Sequence, residues 1–366
     1  MQLQSNTNIC CKTKHNRIAL LSLRSIVCVI IISGVCAGNG IMEYAKPNLS
    51  DYGFFKIPMK NQEPVAGILP FGIATELFSD YAEKLRFIQV PVNMKISVQA
   101  DNTLLFPIGT TFIKTFYYFV DKYQPELGRR LIETRLLMNT IDGWLAFPYI
   151  WNEEQSDAVL AIAGDRMQVD WINEHGESMD ILYSVPNVNQ CKGCHVYENK
   201  LKPIGPKIRN LNMDYMYSDG SMNQLIKWES SGIFSNLSEI AHLPRTAKAN
   251  DFNETLNGRA RAWIDINCAH CHRKGGPAET SGLFLELEQK NLRALGVMKP
   301  PIAAGRGTSK FKYTIVPGEP EKSIMLYRIR STDPGIMMPE LGRRLTHMEG
   351  AELVREWIKA MPKSGK

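Results

Sequence analysis

Acidic residues are absent from the first 37 positions of this 366-residue chain, whereas four Lys and Arg residues occur there. An apolar stretch follows at 25–35, but it is shorter than the roughly 20 residues that a membrane-spanning helix needs. A basic start, a short apolar segment and a small-residue exit at Val35-Cys36-Ala37 are typical of a secretory signal peptide. We therefore predict a signal peptide over residues 1–37, cleaved near Ala37, and an exported, periplasmic protein. An uncleaved N-terminal anchor or a lipid on Cys36 is the alternative, so any membrane association would come through the N-terminus.

Motifs that bind nucleotide phosphates are also missing. The chain contains no G-x-x-x-x-G-K-[ST] loop and no G-x-G-x-x-G run. Its formal charge of +6 falls to +2 once the four basic residues of the predicted signal peptide are removed. So small an excess gives no reason to expect nucleic acid as a partner.

Cysteine is confined to a few places. Four of the eight cysteines lie in the first 36 residues, so a cleaved chain would keep only the four that form two C-x-x-C-H motifs, CKGCH at 191–195 and CAHCH at 268–272. This motif is the attachment sequence for a c-type haem. Two thiols three residues apart can bond to the two vinyl groups of one porphyrin, and the histidine that follows can ligate the iron from one face.

Other uses of these cysteines fit less well. The halves of a zinc ribbon are roughly 15 to 20 residues apart, whereas Cys194 and Cys268 are 74 positions apart. A thioredoxin-like pair would lie beside a βαβ pattern, which is not found, and structural disulfides would not explain the two trailing histidines. We predict two covalently bound c-type haems, attached through Cys191, Cys194, Cys268 and Cys271 and ligated by His195 and His272.

The length after the signal peptide suggests two domains. Segments rich in Phe, Ile, Val, Tyr and Thr, such as 85–90, 111–119 and 131–137, alternate with turn signals and predict a β-rich domain over residues 45–240 that carries the first motif. A helix is expected at 219–232, and no helix is evident before Cys191. The predicted fold class is therefore α+β, with this β-rich domain followed by an all-α, mono-haem cytochrome c-like domain over 250–366.

The second domain rests on two predicted helices. Residues 260–267 form a short helix that runs into Cys268, and Thr346-x-x-Glu349 resembles a capping box that opens a closing helix. The apolar positions of that helix follow the i, i+3, i+4 stripe: Leu353, Val354, Trp357, Ile358 and Met361.

Each haem iron needs a second protein ligand or an open side. Methionine is a common second ligand, and Met338, which precedes a proline ahead of the last helix, is the predicted sixth ligand of the second haem, with Met337 as the alternative. The same pair could instead pack against the haem edge. For the first haem the candidates stay open: Met213, Met216, Met222 and His242.

The chain resembles an uncharacterised family of proteobacterial dihaem c-type cytochromes from about residue 49 to its end. The resemblance implies an exported dihaem protein, without a defined substrate or partner. It depends on these runs: LFSDYA at 77–82, FPIGT at 106–110, PYIWNE at 148–153, NVNQC at 187–191, NCAHCH at 267–272, GGPA at 275–278, PPIAAGRG at 300–307 and MMPELGR at 337–343.

These observations favour an electron carrier that works between a redox protein donor and a redox protein acceptor, with no catalytic residue of its own. The alternative is a dihaem enzyme, peroxidase-like, in which an open first haem reduces a small oxidant. A third hypothesis is an acceptor subunit whose β-rich domain docks a dehydrogenase or a surface complex.

Overall fold

The structure is a computed structural model that describes residues 43–235, 237, 239–302 and 304–363. The predicted signal peptide and its cleavage site lie outside these residues. The described residues from Pro47 onward belong to one compact unit. The predicted domain limits, 45–240 and 250–366, stay predictions.

An antiparallel sheet of six strands forms the centre of the first half, in the order β1-β2-β5-β6-β7-β8. Its long strands are rich in β-branched and aromatic residues, which pack well on a pleated surface. The strands are β1 (Ile68–Pro70), β2 (Glu83–Gln89), β5 (Thr111–Phe119), β6 (Arg129–Thr140), β7 (Gly143–Trp151) and β8 (Ala158–Leu160).

A long hairpin packs against this sheet. The rings of Tyr118 and Trp171 lie 4.7 Å apart between centroids, within an apolar cluster that also buries Phe116 and Tyr183. Smaller sheets complete the β structure: the hairpin strands β9 (Asp165–Ile172) and β10 (Ser178–Val185), the pair β11 (Val196–Tyr197) and β12 (Lys200–Leu201), the pair β13 (Asp214–Tyr217) and β14 (Gly220–Asn223), and the group of β3 (Ile96–Val98), β4 (Leu104–Leu105) and β15 (Phe234–Ser235).

Six α-helices occur in the described residues, and most are short. Three of them lie in the last third of the chain. They are α1 (Val188–His195), α2 (Ile208–Leu211), α3 (Gln224–Ser230), α4 (Leu256–Ile264), α5 (Ile324–Arg330) and α6 (Met348–Ala360). Short 3-10 turns are found at Leu49–Tyr52, Met59–Asn61, Pro125–Leu127, Ile240–His242, Glu279–Ser281, Gly305–Thr308 and Pro320–Lys322, and a π-helical turn at Asp265–Ala269 continues α4.

The predicted all-α cytochrome c-like domain is wrong. In residues 250–363 the helices α4, α5 and α6 have nine, seven and thirteen residues, and turns, loops and isolated β-bridges connect them. Proline and glycine explain part of this, because they are frequent between residues 299 and 320 and interrupt regular helix. The described chain is β-rich from its start to its middle, with small helices that lie mostly towards the C-terminus.

Two helix starts also differ from the prediction. The hydroxyl of Thr346 donates to the carbonyl of Arg330 at 3.0 Å, so it does not cap α6, whose N-cap is His347. The predicted helix at 219–232 begins only at Gln224, because the preceding residues form β14.

The apolar face of α6 packs as the stripe predicts. Val354 and Ile358 are fully buried, and they lie in one cluster with Trp263 of α4 and Trp357. This cluster holds α4 in place, and α4 leads directly into the second C-x-x-C-H motif.

Candidate functional site

The first motif lies on α1, which begins immediately before it. The side chain of Asn187 accepts a hydrogen bond from the backbone of Gln190 at 2.8 Å, and the Gln190 side chain accepts one from the backbone of Asn187 at 2.9 Å. This is a capping box. Since residues three apart share a helix face, Cys191 and Cys194 point to the same side of α1. Burial raises the pKa of both thiols.

The ring of His195 is oriented by the hairpin that follows it. Glu198 and Asn199, between β11 and β12, both have positive φ, which is the geometry of a tight hairpin turn. The hairpin returns Lys202 to His195, whose Nδ1 lies 2.9 Å from the Lys202 carbonyl oxygen. Burial lowers the pKa of His195 to about 4. A neutral ring that donates through Nδ1 leaves the Nε2 lone pair free for a metal.

The second motif begins within the π-helical turn Asp265–Ala269, which continues α4 and includes Cys268. Cys268 and Cys271 are half-buried, and burial raises the pKa of each thiol to about 12. All four described cysteines are free thiols. Neither motif is therefore closed by a disulfide.

His272 is oriented in the same way as His195, but by a side chain. Its Nδ1 lies 3.1 Å from Oγ of Ser281, whose hydroxyl donates to the carbonyl of Ala278 at 2.6 Å. The serine oxygen is therefore the acceptor and His272 the donor. Burial lowers the pKa of His272 to about 4. Its Nε2 is left free, as in the first motif.

The two motifs contact each other although they are far apart in the sequence. Sγ of Cys271 lies 3.8 Å from the carbonyl oxygen of Gly193. Next to this contact, the backbone of Glu198 donates to the carbonyl of Gly275 at 3.0 Å, and the guanidinium of Arg273 lies 4.1 Å from the ring centre of Tyr197. The chain segments that follow the two motifs are thus packed together.

A cavity of about 600 Å³ borders the first motif. This volume is within the range of ligand sites in proteins. The six-stranded sheet forms one wall, and Cys191, Cys194 and His195 line another part. In the part of the chain that the structure describes, the second motif contributes His270 to the lining, while Cys268, Cys271 and His272 lie outside it.

The loop before α6 contributes Met337 and Met338 to the cavity lining. Arg343 holds this loop: its Nη2 donates to the carbonyls of Met338 and Ser331 at 2.9 Å each, and its Nη1 donates to the carbonyl of Leu345 at 3.0 Å. Met338 therefore shares a cavity with His195. Its assignment to the second haem stays a prediction, since His272 does not line this space.

The candidates for the sixth ligand of the first haem lie elsewhere in the described structure. None of Met213, Met216, Met222 and His242 lines the cavity. Met216 is 73% exposed, and the side chain of His242 is 79% exposed.

Two histidines that the sequence did not single out line the cavity instead. His270 is 5% exposed, and its Nδ1 has no hydrogen-bond partner among the described residues. His347 accepts a hydrogen bond from Nε1 of Trp263 at 2.9 Å and stacks on the ring of Phe78. The contact between the motifs brings His270 to the cavity beside the first motif, and no local sequence pattern encodes that contact.

Three cations of the sheet complete the cavity wall: Arg86 on β2, Lys114 on β5 and Arg135 on β6. The signal for them is present in the sequence, because each interrupts an apolar strand. That the three lie side by side follows from strand register, which the sequence alone did not predict.

Comparisons of the chain with protein-family models, with curated proteins and with solved structures found no match. Among the described residues, no three His, Cys, Asp or Glu side chains form a group that could hold a metal ion. A haem iron takes only one or two ligands from the protein, so a haem site does not need such a group. None of the described helices has the length and apolar character needed to span a membrane.

Proposed function

We propose that this protein is an exported dihaem c-type cytochrome that passes electrons between redox protein partners. The observation that carries the proposal is the contact between the two C-x-x-C-H motifs, at 3.8 Å between Cys271 Sγ and the Gly193 carbonyl oxygen. Groups attached to both motifs would be neighbours, which is what electron transfer from one to the other needs.

The donor atoms of both motifs suit a c-type haem. Each has two free thiols three residues apart in a helical turn, and each has a histidine whose Nδ1 is held by an oxygen acceptor. Cys191, Cys194 and His195 would hold one haem, and Cys268, Cys271 and His272 the other. A haem, when bound, supplies an iron that takes up and releases one electron. The residues attach it, orient the ligand ring and exclude water.

The fit is better defined at the first motif, where the cavity of about 600 Å³ adjoins both thiols and His195. Met338, on the loop clamped by Arg343, is the methionine that we propose as a sixth ligand. Because Met338 lines this cavity, it could serve the first haem instead of the second. In a Met338→Ala variant, the haem that loses its low-spin spectrum is the one that Met338 ligates. Retention of both low-spin spectra would exclude Met338 as a ligand.

Export to the periplasm and the class of the partners are proposed from the sequence alone. The basic, acid-free start of the chain is the support for a signal peptide, and the charge of +2 that remains gives no reason to expect nucleic acid. A donor and an acceptor protein are proposed because a carrier of this kind needs both.

The test is to quantify haem per chain in protein exported by a host that attaches c-type haems. The parent should carry two haems. A Cys191→Ser/Cys194→Ser variant and a Cys268→Ser/Cys271→Ser variant should each carry one, and they serve as matched controls for each other. A parent chain without covalent haem would refute the proposal.

Carbon monoxide added to the reduced protein separates the carrier from the enzyme. An unchanged spectrum means that both irons have two axial ligands, as expected for a carrier. A shift at one haem would mean an open iron and would favour the dihaem enzyme instead.

A further inference from the structure

Three cationic side chains lie in a row across the sheet wall of the cavity. Arg86 is directly opposite Lys114 in the pairing of β2 with β5, and Lys114 is directly opposite Arg135 in the pairing of β5 with β6. Paired residues in antiparallel strands point to the same face, and like charges placed opposite each other are destabilising. Negative charge close to the row would therefore stabilise it by offsetting this repulsion.

Two carboxylates supply part of that charge. Glu76 accepts a hydrogen bond from Nη1 of Arg86 at 2.8 Å and lies 3.6 Å from Nζ of Lys84. Glu133 accepts two hydrogen bonds from Arg135. The cluster thus contains four basic side chains, with Lys84 included, and two carboxylates, so its basic groups outnumber its acidic ones.

The two acidic residues that line the cavity, Asp80 and Glu340, are engaged elsewhere. Asp80 accepts hydrogen bonds from the backbone of Arg344 and Leu345, at 2.6 and 2.8 Å. Glu340 is exposed and lies 3.7 Å from Arg328. Neither is paired with the cation row.

Donors of the row are left unsatisfied. Arg86 is 6% exposed, and its buried Nη2 has no hydrogen-bond partner among the described residues. Nζ of Lys114 lies 4.6 Å from the ring centre of Phe116 and makes no ion pair or hydrogen bond with any residue that the structure describes. Burial lowers the pKa of Lys114 well below its ordinary value, as expected for an ammonium without an anion. Buried polar groups are normally paired, so the free Nη2 of Arg86, with the unpaired ammonium of the half-buried Lys114 beside it, indicates a ligand.

We propose that Arg86, Lys114 and Arg135 form an internal binding site for carboxylate groups, and that its occupants are the two propionates of the haem attached at Cys191 and Cys194. The second part rests on the proposed function. Two propionates would place two negative charges beside the row, and the same cavity is lined by the row and by both thiols. A small free carboxylate has the same chemistry and is the other source of an occupant.

Lys114→Gln is the most informative variant, because it removes a charge without breaking an existing contact to a carboxylate. Lys114→Arg keeps the charge, and Lys310→Gln removes an exposed one as a control. Two readouts are needed: the propionate bending band in the resonance Raman spectrum of the haem-loaded chain, and calorimetric titration of the purified chain with formate. Haem content and circular dichroism establish that each variant is loaded and folded.

A shift of the propionate band in Lys114→Gln, absent in Lys114→Arg and Lys310→Gln, supports the site and identifies the propionates. Formate binding to the parent that weakens by roughly tenfold or more in Lys114→Gln, the factor expected for one charge-assisted hydrogen bond, supports the site with a free anion as its occupant. If the band does not move and formate binding is unchanged or absent, the inference is overturned. A chain without haem at the first motif refutes the proposed function separately, and the formate titration then decides the inference alone.

Discussion

A buried ion pair joins the segment after the first motif to the π-helical turn in which the second motif begins. Arg209 of α2 donates from Nη1 and Nη2 to the two carboxylate oxygens of Asp265, at 2.9 and 3.0 Å. The residues are 7% and 3% exposed. We predict that Asp265→Asn, which leaves the guanidinium buried without this anion, destabilises the protein strongly.

The size of this loss in the free energy of unfolding depends on the contacts that Arg209 keeps in the Asp265→Asn variant. Breaking a buried pair by removing one partner costs about 3–5 kcal/mol. Glu288 still accepts from Nε of Arg209 at 2.8 Å, but its side chain is 68% exposed, so this contact is screened by solvent. We therefore expect a loss of about 3 kcal/mol in the free energy of unfolding, at the low end of that range. Urea unfolding at neutral pH, followed by tryptophan fluorescence, measures it.

Two controls make the result specific. Glu321→Gln breaks an exposed pair with Arg330, and it should cost less than about 1 kcal/mol. The double variant Arg209→Met/Asp265→Leu removes both charges and should be less destabilised than Asp265→Asn. A loss in Asp265→Asn no larger than that in Glu321→Gln would refute the reasoning.

The same pair has a defined pH dependence. Burial raises the pKa of Asp265, but Lys207 and Arg209 outweigh it, so the pKa is lowered from its ordinary value. A carboxyl with a lowered folded pKa contributes its full stability above its unfolded pKa, about 4, and loses it as the pH falls through the folded pKa. The difference between the parent and Asp265→Asn should therefore shrink below about pH 4. A constant difference down to the lowest pH at which both fold would contradict this assignment.

Three further substitutions test the structure around the motifs. Gly350→Ala would place its Cβ 2.4 Å from the ring of the buried Trp263, and it should cost about 1–3 kcal/mol in thermal or urea unfolding; wild-type stability would contradict the close packing of α4 on α6. Ser281→Ala removes the acceptor of His272 Nδ1, so the midpoint potential of one haem should change while the other stays constant; two unchanged potentials would exclude this role. Asn187→Ala removes the cap of α1 and should cost about 1 kcal/mol, with less haem at the first motif and an unchanged amount at the second.

Local patterns predicted individual elements well. Strand β5 spans Thr111–Phe119, the β-branched and aromatic run predicted at 111–119. Helix α6 buries Leu353, Val354, Trp357 and Ile358 of the predicted stripe, while Met361 lies just past its end and is half-buried. Helix α1 was not predicted, although Asn187-x-x-Gln190 carries a capping-box signal. The reason is that α1 is mostly polar and has no apolar stripe from which a helix could be predicted.

The tertiary arrangement could not be predicted in the same way. Helices before and after the second motif suggested an all-α domain, but the long irregular segment between them has no period that would reveal its path. The contact of Cys271 with Gly193 and the row of Arg86, Lys114 and Arg135 both depend on strand register and packing between distant segments. The sequence predicts the chemistry of the motifs, and only the structure brings them together.

The most direct test of the central claim is the intact mass of the exported, purified protein, combined with a count of alkylatable thiols after denaturation. If Cys191, Cys194, Cys268 and Cys271 all form thioether bonds, the mass exceeds that of the processed chain by two haems, and no thiol of these four reacts. A mass equal to that of the polypeptide, with all four thiols open to alkylation, would contradict the account.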